Sequence, residues 1–322
     1  MTCSLVCIAA AAATWLAPMT DHLLDGVQAP FHYFSTKPVS QGDECSVAVV
    51  IVHGWGEDPQ APAREALTFR EAACLMLGEG AKQPFVVAPA FPRPSMMKKW
   101  KCPSDGRAIW NTSWEGRGLN ERGEPSDDWR GGGDAAGVEM SSYDVIDRMF
   151  AVFGDVKLYP NLKRVVLLGN SAGGQFAGRY AAVGKGFVRD GVEVAYMVVA
   201  PSTQFRLDDD VIWHYGLKGR PRYSRGLSRE QIYANLSSRR VWYGCGVDDV
   251  KGKPFTSLDS TPEAMLQGAN RFERFLNLEK YLKKFPEWAK MASFTPIPGI
   301  AHNGEKAYTY PPLVRFALGI DK

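Results

Sequence analysis

Short apolar runs, many of them rich in β-branched residues, recur along the chain from about residue 45 onward, and longer amphipathic segments separate them. The runs are continuous rather than alternating, which is typical of strands that are covered on both faces. The pattern therefore predicts the α/β class, with a mostly parallel twisted sheet and helices on both of its faces. The predicted strands are residues 47–52, 85–88, 164–168, 196–200, 241–243 and 293–297.

The segments between these runs predict the helices. Apolar positions at helical spacing predict helices over about 63–77, 174–183 and 229–236, and one or two helices within 263–290. Residues 32–36 are a candidate for an antiparallel edge pair at the start of the sheet. Together these elements predict one repeating β-α-β architecture from about residue 45 to the end of the chain.

Two segments depart from this rhythm, and we interpret both as insertions into the sheet. Residues 91–135 contain no convincing strand or helix, and residues 203–239 are polar, basic and suited to a cap. Loops of this length are usually functional or disordered, and the first segment carries too many tryptophans for disorder. The aromatic side chains either line an apolar pocket or form a small core of their own. The tryptophans of the first segment are Trp100, Trp110, Trp114 and Trp129.

Composition and charge narrow the class of protein only slightly. The chain has 322 residues, of which 45% are hydrophobic and 23% charged, with a formal net charge of +3. Such a composition is that of a globular protein, and a charge so close to balance argues against a nucleic-acid partner. No run of 18 or more apolar residues occurs, so the sequence predicts no membrane-spanning helix. Neither the oligomeric state nor a protein partner follows from these numbers.

The first residues are ambiguous. Residues 5–17 are apolar and alanine-rich, which is the length of a signal-peptide core, but no Lys or Arg precedes them and no clean cleavage site follows. We therefore predict that residues 1–30 are an N-terminal extension or a signal segment, and that residues 31–322 form a single domain. A cytoplasmic location is expected, with secretion as the open alternative. The six cysteines lack metal-site spacing, so no metal is expected.

The strongest chemical signal is the pentapeptide at residues 169–173, Gly-Asn-Ser-Ala-Gly, which directly follows a predicted strand and opens a predicted helix. A strand that turns sharply into a helix leaves no room for Cβ atoms beside the turning residue, which explains the two glycines. A phosphate-binding loop would need Gly-Lys-Ser/Thr or G-x-G-x-x-G, and neither is present. We therefore predict that Ser171 is a nucleophile on a strand-to-helix elbow.

A serine nucleophile needs a base, and the chain has five histidines to supply one. His302 follows the last predicted strand, where a loop can bring it to the carboxyl edge of the sheet, so we predict that His302 is the base. His53 lies at the end of the first core strand and is interpreted as a structural residue that holds the following loop. The remaining histidines, His22, His32 and His214, are expected to be surface or packing residues.

The base in turn needs a carboxylate that orients its ring and stabilises the imidazolium. Asp248 and Asp249 stand just past the predicted strand at 241–243, and a Gly-x-x-Asp spacing from Gly246 favours Asp249, with Asp248 as the alternative acid. A second alternative takes the carboxylate from the acidic run at 208–210.

The negative charge of a tetrahedral intermediate requires backbone N–H donors. We predict that the N–H of Ala172 at the helix N-terminus and the N–H of Trp55 after the first core strand form this oxyanion hole. Trp55 takes part through its backbone, whatever its side chain packs against.

With these motifs, the chain resembles the α/β-hydrolases. The resemblance depends on four motifs in the order of that fold: His-Gly-Trp-Gly at 53–56, the elbow at 169–173, Gly-Val-Asp-Asp at 246–249 and Gly-Ile-Ala-His at 299–302. Residues 169–175 and 265–271 are also similar to poorly characterised fungal and microbial hydrolases. The HGGG donor run of many lipases and esterases is replaced here by His-Gly-Trp-Gly, which makes bulky-alcohol and tertiary esters doubtful substrates.

The motifs and the resemblance together predict a serine hydrolase that cleaves a carboxylic ester through an acyl-enzyme. The expected partner is a small-molecule or lipid-like ester, and no cofactor is implied. An amidase, a peptidase or an acyltransferase would use the same residues. A ligand-binding protein that has the fold but no turnover is the alternative from another class.

Overall fold

The computed structural model describes residues 17–56, 58–99, 105–110, 128–251 and 257–320. The alanine-rich segment at 5–17 lies outside the described residues except for Ala17, as do Trp100 and Trp114. Whether residues 1–30 are a signal segment therefore stays a prediction.

In the described part of the chain, one sheet contains eight strands in the order β1-β2-β4-β3-β5-β6-β7-β8. β1 and β2 pair antiparallel with each other and β2 pairs antiparallel with β4, whereas all other neighbours are parallel. Every residue of β4 and β5 is buried, so both faces of the central sheet are covered. The strands are β1 Thr20–Leu23, β2 His32–Ser35, β3 Val47–Val52, β4 Phe85–Pro89, β5 Arg164–Asn170, β6 Glu193–Val199, β7 Arg240–Gly246 and β8 Ala292–Ile297.

The helices of the described residues connect and cover these strands. α3 and α5 begin with capping boxes at Ser141 and Ser228, where side chain and backbone satisfy each other's hydrogen bonds. None of the helices in the described ranges has the length and apolarity needed to cross a membrane. The helices are α1 Ala61–Leu77, α2 Pro94–Lys99, α3 Ser142–Phe153, α4 Ala172–Val183, α5 Arg229–Ser238, α6 Pro262–Met265, α7 Arg271–Leu282, α8 Pro286–Met291, α9 Gly304–Tyr308 and α10 Pro311–Leu318.

The predicted sheet is confirmed, but several elements differ from the prediction, among them α3, which was not predicted although eight of its twelve residues are buried. β1 was not predicted because its four residues are mostly exposed and show no apolar pattern. The short helix α2 lies in a segment expected to contain none, and Met96 is its one buried residue. Residues 263–290 contain parts of three helices rather than one or two, because Pro262 and Pro286 each begin a new helix at its first position.

The described tryptophans of the first insertion are part of the main hydrophobic core. Trp110 is 0% exposed and Trp129 is 1% exposed. Both contact Phe91, with ring centroids 5.1 Å and 5.4 Å apart respectively. Trp213 and Tyr215 in the second insertion are buried as well. These four side chains are therefore packing residues and do not line an open apolar pocket.

Candidate active site

Ser171 lies between the end of β5 and the start of α4, in a strained backbone conformation with φ 57° and ψ −114°. Its N–H donates to the carbonyl of Val199 on the neighbouring strand β6, at 2.9 Å. A Cβ on Gly173 would overlap the carbonyl oxygen of Val52, and a Cβ on Gly169 would overlap Gly173 itself. The turn can thus form only because both positions are glycine, and it lifts the Ser171 side chain out of the sheet.

The three polar side chains predicted from three distant motifs lie within hydrogen-bonding distance. His302 Nε2 is 3.0 Å from Ser171 Oγ, and His302 Nδ1 is 2.9 Å from Asp249 Oδ2. An ionised carboxylate only accepts hydrogen bonds, so the ring proton sits on Nδ1 and leaves Nε2 to accept from the serine hydroxyl. The arrangement can therefore move a proton from Ser171 to His302.

The loops that carry Asp249 and His302 are bonded to each other. β7 and β8 are parallel neighbours, and their pairing continues past the sheet: Val247 N–H donates to Ile297 O at 3.0 Å, and Asp248 N–H donates to Ile300 O at 3.1 Å. This register points Asp249 inward, where it is 2% exposed, and leaves the side chain of Asp248 at the surface. Asp249 is accordingly the acid that contacts His302.

The alternative acids of residues 208–210 are engaged elsewhere. Asp208 accepts a hydrogen bond from the Tyr281 hydroxyl at 2.8 Å, and Asp209 forms an ion pair with Arg229 at 3.1 Å. Asp210 is exposed.

Arg271 is a residue of the site that sequence reasoning missed. Its guanidinium is fully buried, lies 3.7 Å from Asp249 Oδ1, and donates to the carbonyl of Ser257 at 3.0 Å. Arg271 therefore lies at one oxygen of Asp249 while His302 bonds to the other. Arg271 begins α7 after the helix-capping Asn270, which is where a surface arginine would also appear, so no local pattern distinguishes it.

The segment after β3 lies against the nucleophile. Trp55 and Ala172 both border the cavity that contains Ser171, and Ala172 begins α4, where N–H groups lack an acceptor within the helix. The Trp55 ring lies between two guanidinium groups, with Arg93 at 4.0 Å and Arg130 at 4.5 Å from its centroid. Arg93 also donates to the Trp55 carbonyl at 3.0 Å, which holds this backbone in place.

The rest of the cavity beside Ser171 is polar. Arg130 reaches it while paired with the buried carboxylate of Asp128, and Asp259 reaches it while accepting a hydrogen bond from the Tyr215 hydroxyl at 2.7 Å. Gln175, Ser202 and Ser257 complete the lining. A ligand in this cavity would meet hydroxyl, amide, carboxylate and guanidinium groups more than apolar surface.

His53 has the structural position expected of it. Its Nδ1 donates to the carbonyl of Gly54 at 2.7 Å, while its Nε2 accepts from the N–H of Phe91 at 3.1 Å. Burial lowers the pKa of His53 to about 4, so the ring is neutral near pH 7. The neutral ring links the loop after β3 to the loop after β4.

A metal ion has no candidate set of ligands in the described part of the chain. Within it, no group of three or more His, Cys, Asp or Glu side chains is arranged to hold a metal ion.

The parallel sheet with its antiparallel edge, together with the strand-to-helix elbow after β5, defines the α/β-hydrolase fold, and the fold predicted from the sequence is confirmed. No protein-family model and no curated protein matches this chain.

Among solved structures, the chain is similar to a poly(3-hydroxybutyrate) depolymerase from Bordetella parapertussis, with 20% identity and a TM-score of 0.63 over 94% of this chain and 90% of that one. It is also similar to poly(aspartic acid) hydrolase-1 from Sphingomonas sp. KT-1, with 20% identity and a TM-score of 0.62 over 91% and 97%. These likenesses show the fold. The closer resemblance to fungal and microbial hydrolases stays a prediction.

Proposed function

We propose that this protein is a serine hydrolase that cleaves carboxylic esters, with Ser171, His302 and Asp249 as its catalytic triad. The observation that carries the proposal is the continuous hydrogen-bonded relay from Ser171 Oγ through the His302 ring to the buried Asp249. A strained serine at an elbow adds support, because backbone strain concentrates at functional positions. The two similar structures, a depolymerase and a hydrolase, support the hydrolase class.

In the first half-reaction, Ser171 Oγ attacks the carbonyl carbon of the ester while its proton passes to His302 Nε2. The carbonyl oxygen becomes an oxyanion, which accepts hydrogen bonds from the N–H groups of Trp55 and Ala172. The carbon–oxygen bond to the alcohol then breaks, and the alcohol leaves with the proton that His302 returns. An acyl group remains on Ser171.

In the second half-reaction, water attacks the acyl carbon and gives its proton to His302. Collapse of the second oxyanion releases the carboxylic acid, and the proton returns to Ser171. Asp249 stabilises the positive imidazolium in both halves, and Arg271 lies beside its other oxygen. No step requires a metal or a cofactor.

The lining of the cavity favours a small ester with a short or polar acyl group over a lipid-like one. Arg130, Gln175 and Asp259 border the space beside Ser171, whereas Trp110 and Trp129 are buried in the core. A long alkyl chain would displace water from these polar groups and offer no hydrogen bond in its place, which costs free energy.

The test is a panel of p-nitrophenyl esters from acetate to palmitate, with the p-nitroanilides of the same acids. We expect the wild type to hydrolyse acetate and butyrate fastest, and Ser171→Ala to lose about 10⁴-fold or more in kcat. Wild-type rates equal to those of Ser171→Ala on every ester would refute the proposal. Faster cleavage of the anilides would indicate an amidase, whereas Ser171 labelled by a fluorophosphonate without turnover of any substrate would favour a ligand-binding protein.

The two adjacent acids provide a matched pair of variants. We expect Asp249→Asn to lower kcat by about 10³-fold or more, because the amide holds the wrong ring tautomer. Asp248→Asn removes a carboxylate from the next position at the surface and is expected to change kcat less than about twofold. Steady-state kinetics on p-nitrophenyl butyrate measure both. Equal effects of the two substitutions would contradict the assignment of Asp249.

A further inference from the structure

Glu65 is a half-buried residue of α1 whose carboxylate is shielded from solvent and joins two segments of the site. Its Oε1 accepts from the N–H of Gly54 at 3.2 Å, and its Oε2 accepts from the Tyr308 hydroxyl at 3.1 Å. Gly54 immediately precedes Trp55, and Tyr308 ends α9, the helix that follows His302. The mechanism above uses none of these three groups.

The same carboxylate and the nucleophile both border Gly54. A Cβ built on Gly54 would lie 3.6 Å from Glu65 Oε1 and 3.9 Å from the Cβ of Ser171, so both residues flank this glycine. At the start of α9, a Cβ on Gly304 would lie 2.6 Å from Nδ2 of Asn170, the residue before Ser171. The loop after β3, the elbow and α9 therefore pack directly on one another, and Glu65 bonds to two of the three.

We propose that Glu65 is a positioning residue that holds the Gly54–Trp55 backbone and α9 in place around Ser171. This inference rests on the proposed function, since it acts through the oxyanion donor at Trp55. A carboxylate suits the task because it accepts at both oxygens, and both neighbours donate. Misplacing a backbone donor reduces the stabilisation of the transition state more than that of the bound substrate. We therefore expect the substitution to lower kcat more than it changes KM.

Glu65 is costly to keep at this position. Burial raises the pKa of its carboxyl to about 7, so the folded protein must ionise a group that its surroundings disfavour. A side chain that served packing alone would be better apolar, because an apolar residue carries no such cost.

The test compares Glu65→Ala, Glu65→Gln and Tyr308→Phe in the full chain, with Glu71→Ala as a control glutamate on the same helix. Hydrogen exchange measured by mass spectrometry on peptides spanning residues 52–56 reports the restraint itself, whether or not the protein turns over a substrate. We expect about tenfold faster exchange in Glu65→Ala, a smaller increase in Tyr308→Phe, and little change in Glu65→Gln, whose amide still accepts from Gly54. Glu71→Ala should match the wild type.

The same variants are then assayed on p-nitrophenyl butyrate, with the active serines counted by fluorophosphonate titration so that misfolded protein does not enter kcat. We expect Glu65→Ala to lower kcat about tenfold or more at a KM within about threefold, and Glu65→Gln to restore most of kcat. The inhibition constant of a phenylboronic acid, which places a tetrahedral oxygen at the same donors, should rise by the same factor as kcat falls.

Unchanged exchange at residues 52–56 in Glu65→Ala would overturn the inference, as would faster exchange with unchanged kcat. If Glu65→Ala does not fold, Tyr308→Phe decides, because it removes one of the two bonds with little change in volume. If the exchange responds as expected but the wild type is no better than Ser171→Ala on any ester, the proposed function fails while the restraint by Glu65 stands.

Discussion

The carboxylate of Asp249 has one neighbour at each of its two oxygens. His302 donates to one oxygen at 2.9 Å, and the buried guanidinium of Arg271 lies 3.7 Å from the other. The hydrogen bond orients the His302 ring, and the guanidinium places a positive charge beside the buried carboxylate. Asp248 has no such surroundings because its side chain points to the surface.

At the same scale, Glu65 predicts a pH-dependent stability. Burial and the nearby Glu305 raise its pKa to about 7, against the opposing effects of Gly54, Tyr308 and Arg64. Between pH 4.5 and 7 the folded state therefore retains a proton that the unfolded state has released. Stability therefore falls as the pH rises through this window, and the loss is complete above it. We expect the free energy of unfolding of Glu65→Gln, measured relative to that of the wild type, to be about 2 kcal/mol higher at pH 8 than at pH 4.5.

Urea unfolding at the two pH values measures this difference. Glu71→Gln controls for the loss of a glutamate from α1. A difference between Glu65→Gln and the wild type that does not grow with pH would show that the carboxyl of Glu65 ionises freely in the folded protein.

At the scale of elements, the turn from β5 into α4 depends on how closely the helix approaches the sheet. Gly173 faces the carbonyl of Val52 with no room for a methyl group. Gly178 lies further along the same helix, and a Cβ there would lie 3.4 Å from a methyl group of Val198, which is ordinary contact. A methyl group is therefore excluded at Gly173 but accommodated at Gly178.

We expect Gly173→Ala to destabilise the protein by about 3 kcal/mol or more, because the helix must move away from the sheet. Gly178→Ala is the matched control, and its better helix propensity should make it neutral or stabilising by up to about 1 kcal/mol. Thermal unfolding by circular dichroism measures both. Equal melting temperatures for the two variants would contradict the close approach at Gly173.

Most of the elements that sequence patterns predicted have a strong burial signal. β3 to β7 are continuous apolar runs or contain one, so their positions were evident, whereas β8 buries only Ile297. β1 and α2 bury too little surface to leave a pattern, and they form because a neighbouring strand or loop supplies their contacts. The split of 263–290 into separate helices was visible in Pro262 and Pro286, but helical periodicity alone does not show it.

At the scale of the whole molecule, Ser171, Asp249 and His302 follow three strands that share one sheet and one hydrophobic core. Ser171 follows β5, Asp249 follows β7 and His302 follows β8, and the buried residues of these strands belong to a single cluster. The three side chains are therefore held together only while the sheet is intact. We expect the reactivity of Ser171 to be lost when the whole protein unfolds.

We expect urea to abolish fluorophosphonate labelling of Ser171 at the same midpoint at which tryptophan fluorescence and far-ultraviolet circular dichroism report unfolding. Glu71→Ala, which lies away from the site, should shift all three midpoints together if it shifts them at all. Labelling lost well below the other two midpoints would show that the site and the sheet are separate units, contrary to the single domain predicted for residues 31–322.

The sequence by itself determined the class of fold and the candidates for nucleophile and base, because strand burial and the glycine elbow leave local patterns. It favoured Asp249 but left Asp248 and the acidic run at 208–210 as alternatives, since spacing along a loop does not say which side chain turns inward. Only the tertiary structure selected Asp249, added Arg271 and Glu65, and placed Trp110 and Trp129 in the core. Those facts depend on contacts that local patterns do not show, such as the hydrogen bonds from Gly54 and Tyr308 to Glu65. These contacts arise only when the order of the strands in the sheet brings the segments together.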